Sequence, residues 1–218
     1  MNLVLMGPPG VGKGTQGQRL ASAYRVPIVA SGDMFRQIRQ GDSAEAAQVR
    51  KYMDRGDYVP DELTIRMVLD RLNQPDARRG FILDGFPRTV RQAEALDEHL
   101  AEEARPIRSV VLLTAPVAMI LSRLSGRRVC RNCGRVYNQS TNAPAKDGVC
   151  DVCGGELVQR TDESPEVQRR RLEVYERQTA PVAAYYAGTG RLRSVDATRS
   201  VDEVQSELRS VLDAPLVA

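Results

Sequence analysis

A chain of 218 residues has room for one well-buried core with insertions, or for two small domains. Hydrophobic content of 42% and charged content of 27% are those of an ordinary globular protein, and a net charge of +3 is too small to announce a nucleic-acid partner. No basic, apolar, small-residue stretch opens the chain, and the longest apolar region, Val110 to Leu121, is broken by Thr114 and Pro116, so a cytoplasmic protein without a membrane partner is expected.

The apolar run Leu3 to Met6, closed by Gly7, reads as a buried strand, and Gln16 to Tyr24 as a helix with Leu20, Ala21 and Tyr24 on one face. Between them lies Gly7-Pro8-Pro9-Gly10-Val11-Gly12-Lys13-Gly14-Thr15. A strand, a glycine-rich turn and a helix N-terminus make an anion site: backbone N–H groups point inward and the helix dipole adds positive charge. The G-x-x-x-x-G-K spacing matches the phosphate-loop pattern, with Lys13 beside the β- and γ-phosphates; here Gly14 follows the lysine and the hydroxyl comes next, at Thr15. A nucleoside triphosphate is the expected ligand.

Pro27 to Ala30 is a second short strand, ending at the turn-forming and capping cluster Ser31-Gly32-Asp33. From there to Pro60 the chain is polar and helix-prone and lacks the dense apolar spacing of a core, so it reads as a surface excursion. A helix restarts at Asp61-Glu62 and stops at Asn73-Gln74-Pro75. Phe81 to Asp84 is a third strand, ending in a carboxylate; the loop Gly85-Phe86-Pro87-Arg88 follows, and Thr89 opens a helix. Arg108 to Leu113 is a fourth strand, followed by a helix from Pro116. Ser164-Pro165 begins a long helix reaching Pro181 or beyond, Leu192 to Val195 is a fifth strand, and Ser200 to Glu203 is a capping box. Strands alternating with helices predict a parallel sheet covered on both faces.

Between Gly126 and Glu163 apolar periodicity disappears. All four cysteines lie here, as Cys130-x2-Cys133-x16-Cys150-x2-Cys153. That spacing suits a structural zinc ribbon with four thiolate ligands; a pair of disulfides is the alternative. Arg127, Arg128, Arg131 and Arg135 would also suit nucleic acid, but Tyr137 is the only aromatic there and acidic residues interleave with the arginines.

Taken in order, these stretches resemble the adenylate kinase family essentially end to end. The carrying motifs are Gly7 to Thr15, Ser31 to Arg36, Gly56 to Glu62, Leu83 to Thr89, Gly126-Arg127-Arg128, Gly134 to Tyr137, Arg160 to Glu163, Arg169 to Leu172 and Thr179-Ala180-Pro181. The resemblance implies a three-layer α/β fold of the P-loop kind, with a five-stranded parallel sheet, a small helical insertion and a zinc-ribbon lid. The core would be 1–29, 60–125 and 164–218, the AMP-binding part 30–59 and the lid 126–163.

It further implies that Gly10, Val11, Gly12, Lys13, Gly14 and Thr15 hold the ATP phosphates, with Arg127, Val136 and Tyr137 touching ATP from the lid and Arg199 against the donor base. AMP would meet Ser31, Arg36, Asp57, Tyr58, Val59, Gly85, Phe86, Pro87, Arg88 and Gln92. Arg160 and Arg171 would reach the phosphates where the nucleotides meet, with Arg123 beside them, and Asp84 would orient magnesium waters. Ser31 stands where many relatives carry threonine, and Pro165 where many carry an acid. The implied reaction is Mg2+-dependent transfer of the terminal phosphoryl group of ATP to AMP, giving two ADP, by a zinc-containing monomer.

That reaction needs no general base, because the attacking phosphate is already an anion. The only histidine, His99, is accordingly expected as a solvated helix position. Gln92, three after Thr89, suits a capping box as well as an AMP contact. Of Arg169, Arg170 and Arg171, two should form a solvated face, the resemblance selecting Arg171. A UMP/CMP-type kinase, or a nucleotide switch carrying a nucleic-acid-binding zinc ribbon, remains an alternative function.

Overall fold

The computed structural model of the chain describes residues 1–159 and 164–214. Among them, five strands form one parallel sheet: β1 (Asn2–Met6), β2 (Ile28–Ala30), β3 (Phe81–Asp84), β4 (Ser109–Thr114) and β8 (Leu192–Asp196), in the order β2-β3-β1-β4-β8. All five expected strands are present.

The two-residue period of a strand divides β1 between two cores. Val4 and Met6 join Phe81, Leu83 and Val110 under α4 (Asp61–Leu72), α5 (Val90–Glu102) and α8 (Ala180–Gly188). Leu3 and Leu5 join Ile82, Val111 and Val195 under α1 (Lys13–Tyr24) and α9 (Val201–Asp213). Helix α1 starts three residues earlier than the apolar spacing suggests, because Gly12 takes φ 115° and turns the phosphate loop directly into Lys13.

Other elements depart from the expectations in informative ways. The stretch 30–59 has a small core of its own, Phe35, Val49, Met53 and Val59, made when α2 (Ser31–Ile38) folds against α3 (Ala44–Arg55). Ser31 is the first residue of α2 and caps nothing; its hydroxyl donates to the Gly85 carbonyl at 2.6 Å. The helix from Pro165 is α7 (Pro165–Val174), a wide π-helical turn (Tyr175–Thr179) and then α8. Pro181 has no N–H for the carbonyl four residues back, which favours a change of hydrogen-bond pattern just before it.

His99 is half-buried rather than free in solvent: its Nε2 lies 3.3 Å from Asn73 Oδ1 and ties α5 to the end of α4. After α6 (Val117–Ser125), a separate antiparallel sheet forms from β5 (Arg127–Cys130), β6 (Val136–Asn138) and β7 (Leu157–Val158), in the order β6-β5-β7. Arg160 and the rest of the motif to Glu163 lie outside the described residues.

Gly7 ends β1 at φ 138°, and a Cβ there would stand 2.5 Å from the Leu113 carbonyl oxygen. Gly7→Ala is therefore expected to destabilise the protein by at least about 1–3 kcal/mol, the scale of one strained backbone position. Urea unfolding of the variant beside its parent measures it.

Candidate active site

The crevice beyond the carboxyl ends of β1 and β3 is where a parallel sheet of this order presents its chemistry. Register brings the two strand ends together, since Leu5 pairs with Asp84. An open cleft of about 1730 Å³ begins there, larger than the ~300–1,000 Å³ usual for one small molecule. Its walls come from the phosphate loop, the α2–α3 stretch, the small sheet and the α7–α8 helix.

Lys13 sits half-buried in the first turn of α1, with Nζ donating to the carbonyls of Gly7 at 2.8 Å and Pro8 at 3.0 Å. Burial lowers its pKa to about 8; the Asp84 carboxylate opposes the shift, and the Arg88 and Arg127 charges add to it. Asp84 faces the same helix terminus, its Oδ2 3.6 Å from where a Cβ of Gly14 would be. A carboxylate beside a phosphate loop suits magnesium, which favours one or two carboxylates together with phosphate oxygens.

Arg88 is held from several sides. Its Nε donates to Gly85 O at 2.6 Å, its N–H to Gln92 Oε1 at 2.8 Å, and its guanidinium carbon lies 4.9 Å from the centre of the Tyr58 ring. Arg123 donates to the carbonyls of Val11 at 3.2 Å and Ala197 at 2.8 Å. Arg36 pairs with Asp33 and Arg199 with Glu207.

Gly10 to Thr15, Asp84, Arg88, Arg123, Arg127, Val136, Tyr137, Arg171 and Arg199 all border the cleft, as do Arg36, Asp57, Tyr58, Val59, Gly85 and Pro87. Ser31, Phe86 and Gln92 do not; each is buried behind the wall. The Gln92 amide joins Arg88 N–H to Asp61, donating to Asp61 Oδ1 at 2.7 Å, and so does not form the expected capping box with Thr89. Asp61 also accepts from Thr89 Oγ1 at 2.8 Å and organises the loop after β3, a role its place at a helix start gave no sign of. Arg169 is exposed and Arg171 borders the cleft; Arg170 remains partly exposed, but its Nε and Nη2 hold Asp57 Oδ1 at 2.9 and 2.8 Å.

At the edge of the small sheet, the four Sγ atoms of Cys130, Cys133, Cys150 and Cys153 lie within 4.8 Å of one another. The pairs Cys130–Cys153 and Cys133–Cys150 stand at 3.4 and 3.6 Å, close to the ~3.8 Å sulfur separation of a tetrahedral site with ~2.3 Å zinc–sulfur bonds. Neither pair is bonded as a disulfide. The Tyr137 hydroxyl, then the N–H groups of Val152 and Cys153, pull Cys150 down to about 6. Against the Gly155 N–H, which favours its thiolate, hydrogen bonding with Cys130 and Cys133 pushes Cys153 up to about 12. Four thiolates can share this space only around a cation.

A family model described as "Adenylate kinase" matches residues 5–191. The chain belongs to the adenylate kinase family. An adenylate kinase of Carboxydothermus hydrogenoformans is 47% identical over 212 residues, 97% of this chain and 99% of the relative. One of a Geobacillus species is also 47% identical, over 97% of this chain and 98% of the relative. An adenylate kinase of Staphylococcus epidermidis is 41% identical, over 98% and 99%.

Two outcomes are expected of the free protein. Lys13 holds its proton to about pH 8 when folded and to about 10.5 when unfolded. The unfolded state therefore binds more protons between those values, and stability there rises with pH. Urea unfolding should show the parent gaining on Lys13→Met as pH rises from 8 toward 10.5. Stripping metal with a chelator should empty the four-cysteine site and lower the melting temperature; metal release without a change in melting would remove the sulfur cluster from any part in stability.

Proposed function

We infer that the chain is an ATP:AMP phosphotransferase, moving the terminal phosphoryl group of ATP to AMP and back, with ADP as the product. The carrying observation is a near-full-length match to adenylate kinases in a chain whose large cleft faces the phosphate loop toward Arg88. A volume beyond that of a single-ligand pocket suits two nucleotides bound phosphate to phosphate.

Phosphoryl transfer asks for positioning and for cancellation of charge. The N–H groups of Gly10 to Thr15 hold the donor phosphates, and Lys13 leaves its carbonyl tethers for them. Arg88 holds the acceptor phosphate, while Arg123 and Arg171 crowd the transferring group; Arg160, given the same part by the family resemblance, lies outside the described residues. Asp84 would hold the waters of a magnesium ion, which would supply charge stabilisation to the transferring phosphates. Arg127, Val136, Tyr137 and Arg199 flank the donor. The stretch 30–59, with Arg36, Asp57, Tyr58 and Val59, and the loop residues Gly85, Pro87 and Arg88 flank the acceptor. Ser31, Gln92 and Phe86 act on that side from behind the wall, Ser31 by its hydrogen bond to the Gly85 carbonyl and Gln92 by holding the Arg88 backbone.

Water is the competing acceptor, so the cleft has to close before reaction. We assign that closure to the stretch 30–59 and to the lid 126–163, the latter stiffened by zinc on its four cysteines. The reading includes a cytoplasmic monomer that engages neither nucleic acid nor membrane. Among the described residues no helix is long and apolar enough to cross a bilayer.

One assay tests the whole: ATP and magnesium with AMP, UMP, CMP or GMP in parallel, followed by ADP formation. AMP is expected to be the strongly preferred acceptor; preference for UMP or CMP, or hydrolysis of ATP without use of AMP, would overturn the reading. Arg88→Ala and Lys13→Ala should each lose about a thousandfold or more in kcat with melting temperatures near the parent's.

A further inference from the structure

The motif Thr179-Ala180-Pro181 has no part in the scheme above, yet Thr179 lies at a junction of three elements. It closes the wide turn between α7 and α8 and is 5% exposed. A threonine preceding a helical segment ordinarily caps it, but this side chain makes no cap bond. Its Oγ1 donates instead to the Arg88 carbonyl at 3.0 Å, 91 residues away in sequence, and lies 2.8 Å from the Tyr58 hydroxyl. A hydroxyl has one proton to give. With that proton on Arg88 O, the Tyr58 hydroxyl is the donor to Thr179.

The same tyrosine underlies the Arg88 guanidinium, 4.9 Å from ring centre to the guanidinium carbon, an attractive arrangement for a cation. Arg88 is thus held twice through one hydroxyl: at its backbone by Thr179, and at its charged head by the ring whose hydroxyl Thr179 fixes. Tyr58 belongs to the stretch joining α3 to α4, and its neighbour Asp57 is seated on α7 by Arg170.

We propose that Thr179 is a positioning residue for Arg88, aiming its guanidinium at the acceptor phosphate through the Arg88 carbonyl and the Tyr58 ring. Thr179 lies at the cleft border but is almost wholly buried, so it acts through Arg88. Its effect comes from geometry: an error of about 1 Å at a phosphate-binding group can cost about a hundredfold in rate. A hydroxyl that merely tied a helix to a loop would change stability alone, whereas a positioning hydroxyl changes the AMP term and leaves the ATP term in place. The inference rests on the phosphotransferase reading.

The test is the ADP-forming assay with ATP and AMP varied separately, together with calorimetric melting, for Thr179→Val, Thr179→Ser, Tyr58→Phe and the Thr179→Val/Tyr58→Phe double variant. Thr179→Val keeps the shape and removes the hydroxyl. Its kcat/KM for AMP is expected to fall about 10- to 100-fold while KM for ATP stays within about twofold. Thr179→Ser should return to within about threefold of the parent, and the double variant should be no worse than Thr179→Val alone. Any of three results overturns the proposal: an AMP term unchanged in Thr179→Val, equal losses for both nucleotides, or a serine variant as impaired as the valine one. If Thr179→Val does not fold, Tyr58→Phe, which keeps the ring, decides. A fall of about threefold or more in the AMP term supports the relay, and parental kinetics overturn it. A parent that makes no ADP sinks the phosphotransferase reading itself, a result separate from any difference among the variants.

Discussion

Concentrating positive charge in one cleft is the constraint on which the rest of this structure depends. Several cations border one cleft, and those beside the phosphate loop and the loop after β3 must be held in place without being neutralised. The centre of the cleft meets this with neutral acceptors. Lys13 is tethered to the carbonyls of Gly7 and Pro8, Arg123 to those of Val11 and Ala197, and Arg88 to that of Gly85. Carbonyls fix direction while leaving the net charge intact; the pKa of Lys13 is low mainly because the ammonium is buried, with the Arg88 and Arg127 charges adding to the shift. Carboxylate partners occur farther out: Arg36 with Asp33, Arg170 with Asp57, Arg199 with Glu207. Asp84 is the acidic exception at the centre, beside the phosphate loop, where a divalent cation would share it.

The sheet makes this possible by ending β1 and β3 side by side. Each strand hands its next residues to a loop that a bulkier backbone would block, Gly7 to Thr15 after β1 and Gly85 to Arg88 after β3. The second loop is fixed from behind by Asp61, which receives Thr89 and Gln92. On that side it is held by groups on α4 and α5 that do not line the cleft.

Much of this was legible in the sequence, and what was not has a common cause. A strand buried on both faces is a short apolar run, so Phe81-Ile82-Leu83 and Leu3 to Met6 announce themselves. The phosphate loop and the cysteine spacing are local patterns and read equally well. The strands β5 to β7 are two to four residues long and gather around sulfur rather than hydrocarbon, which leaves no periodicity to find. Phe35, Val49, Met53 and Val59 are too sparse to look like a core until α2 folds back on α3. Arg170 pairs with a partner 113 residues away, and no helical wheel contains that information.

The wide turn at Tyr175–Thr179 has a consequence for where side chains point. Eight residues along an unbroken α-helix leave a side chain about 80° from where it began, at ~100° per residue. A turn that takes up one additional residue cancels roughly one such step. Arg171, Tyr175 and Thr179 consequently all border the cleft, although a regular helix would fan them apart. The number of residues in this segment is as much a part of the site as their identities.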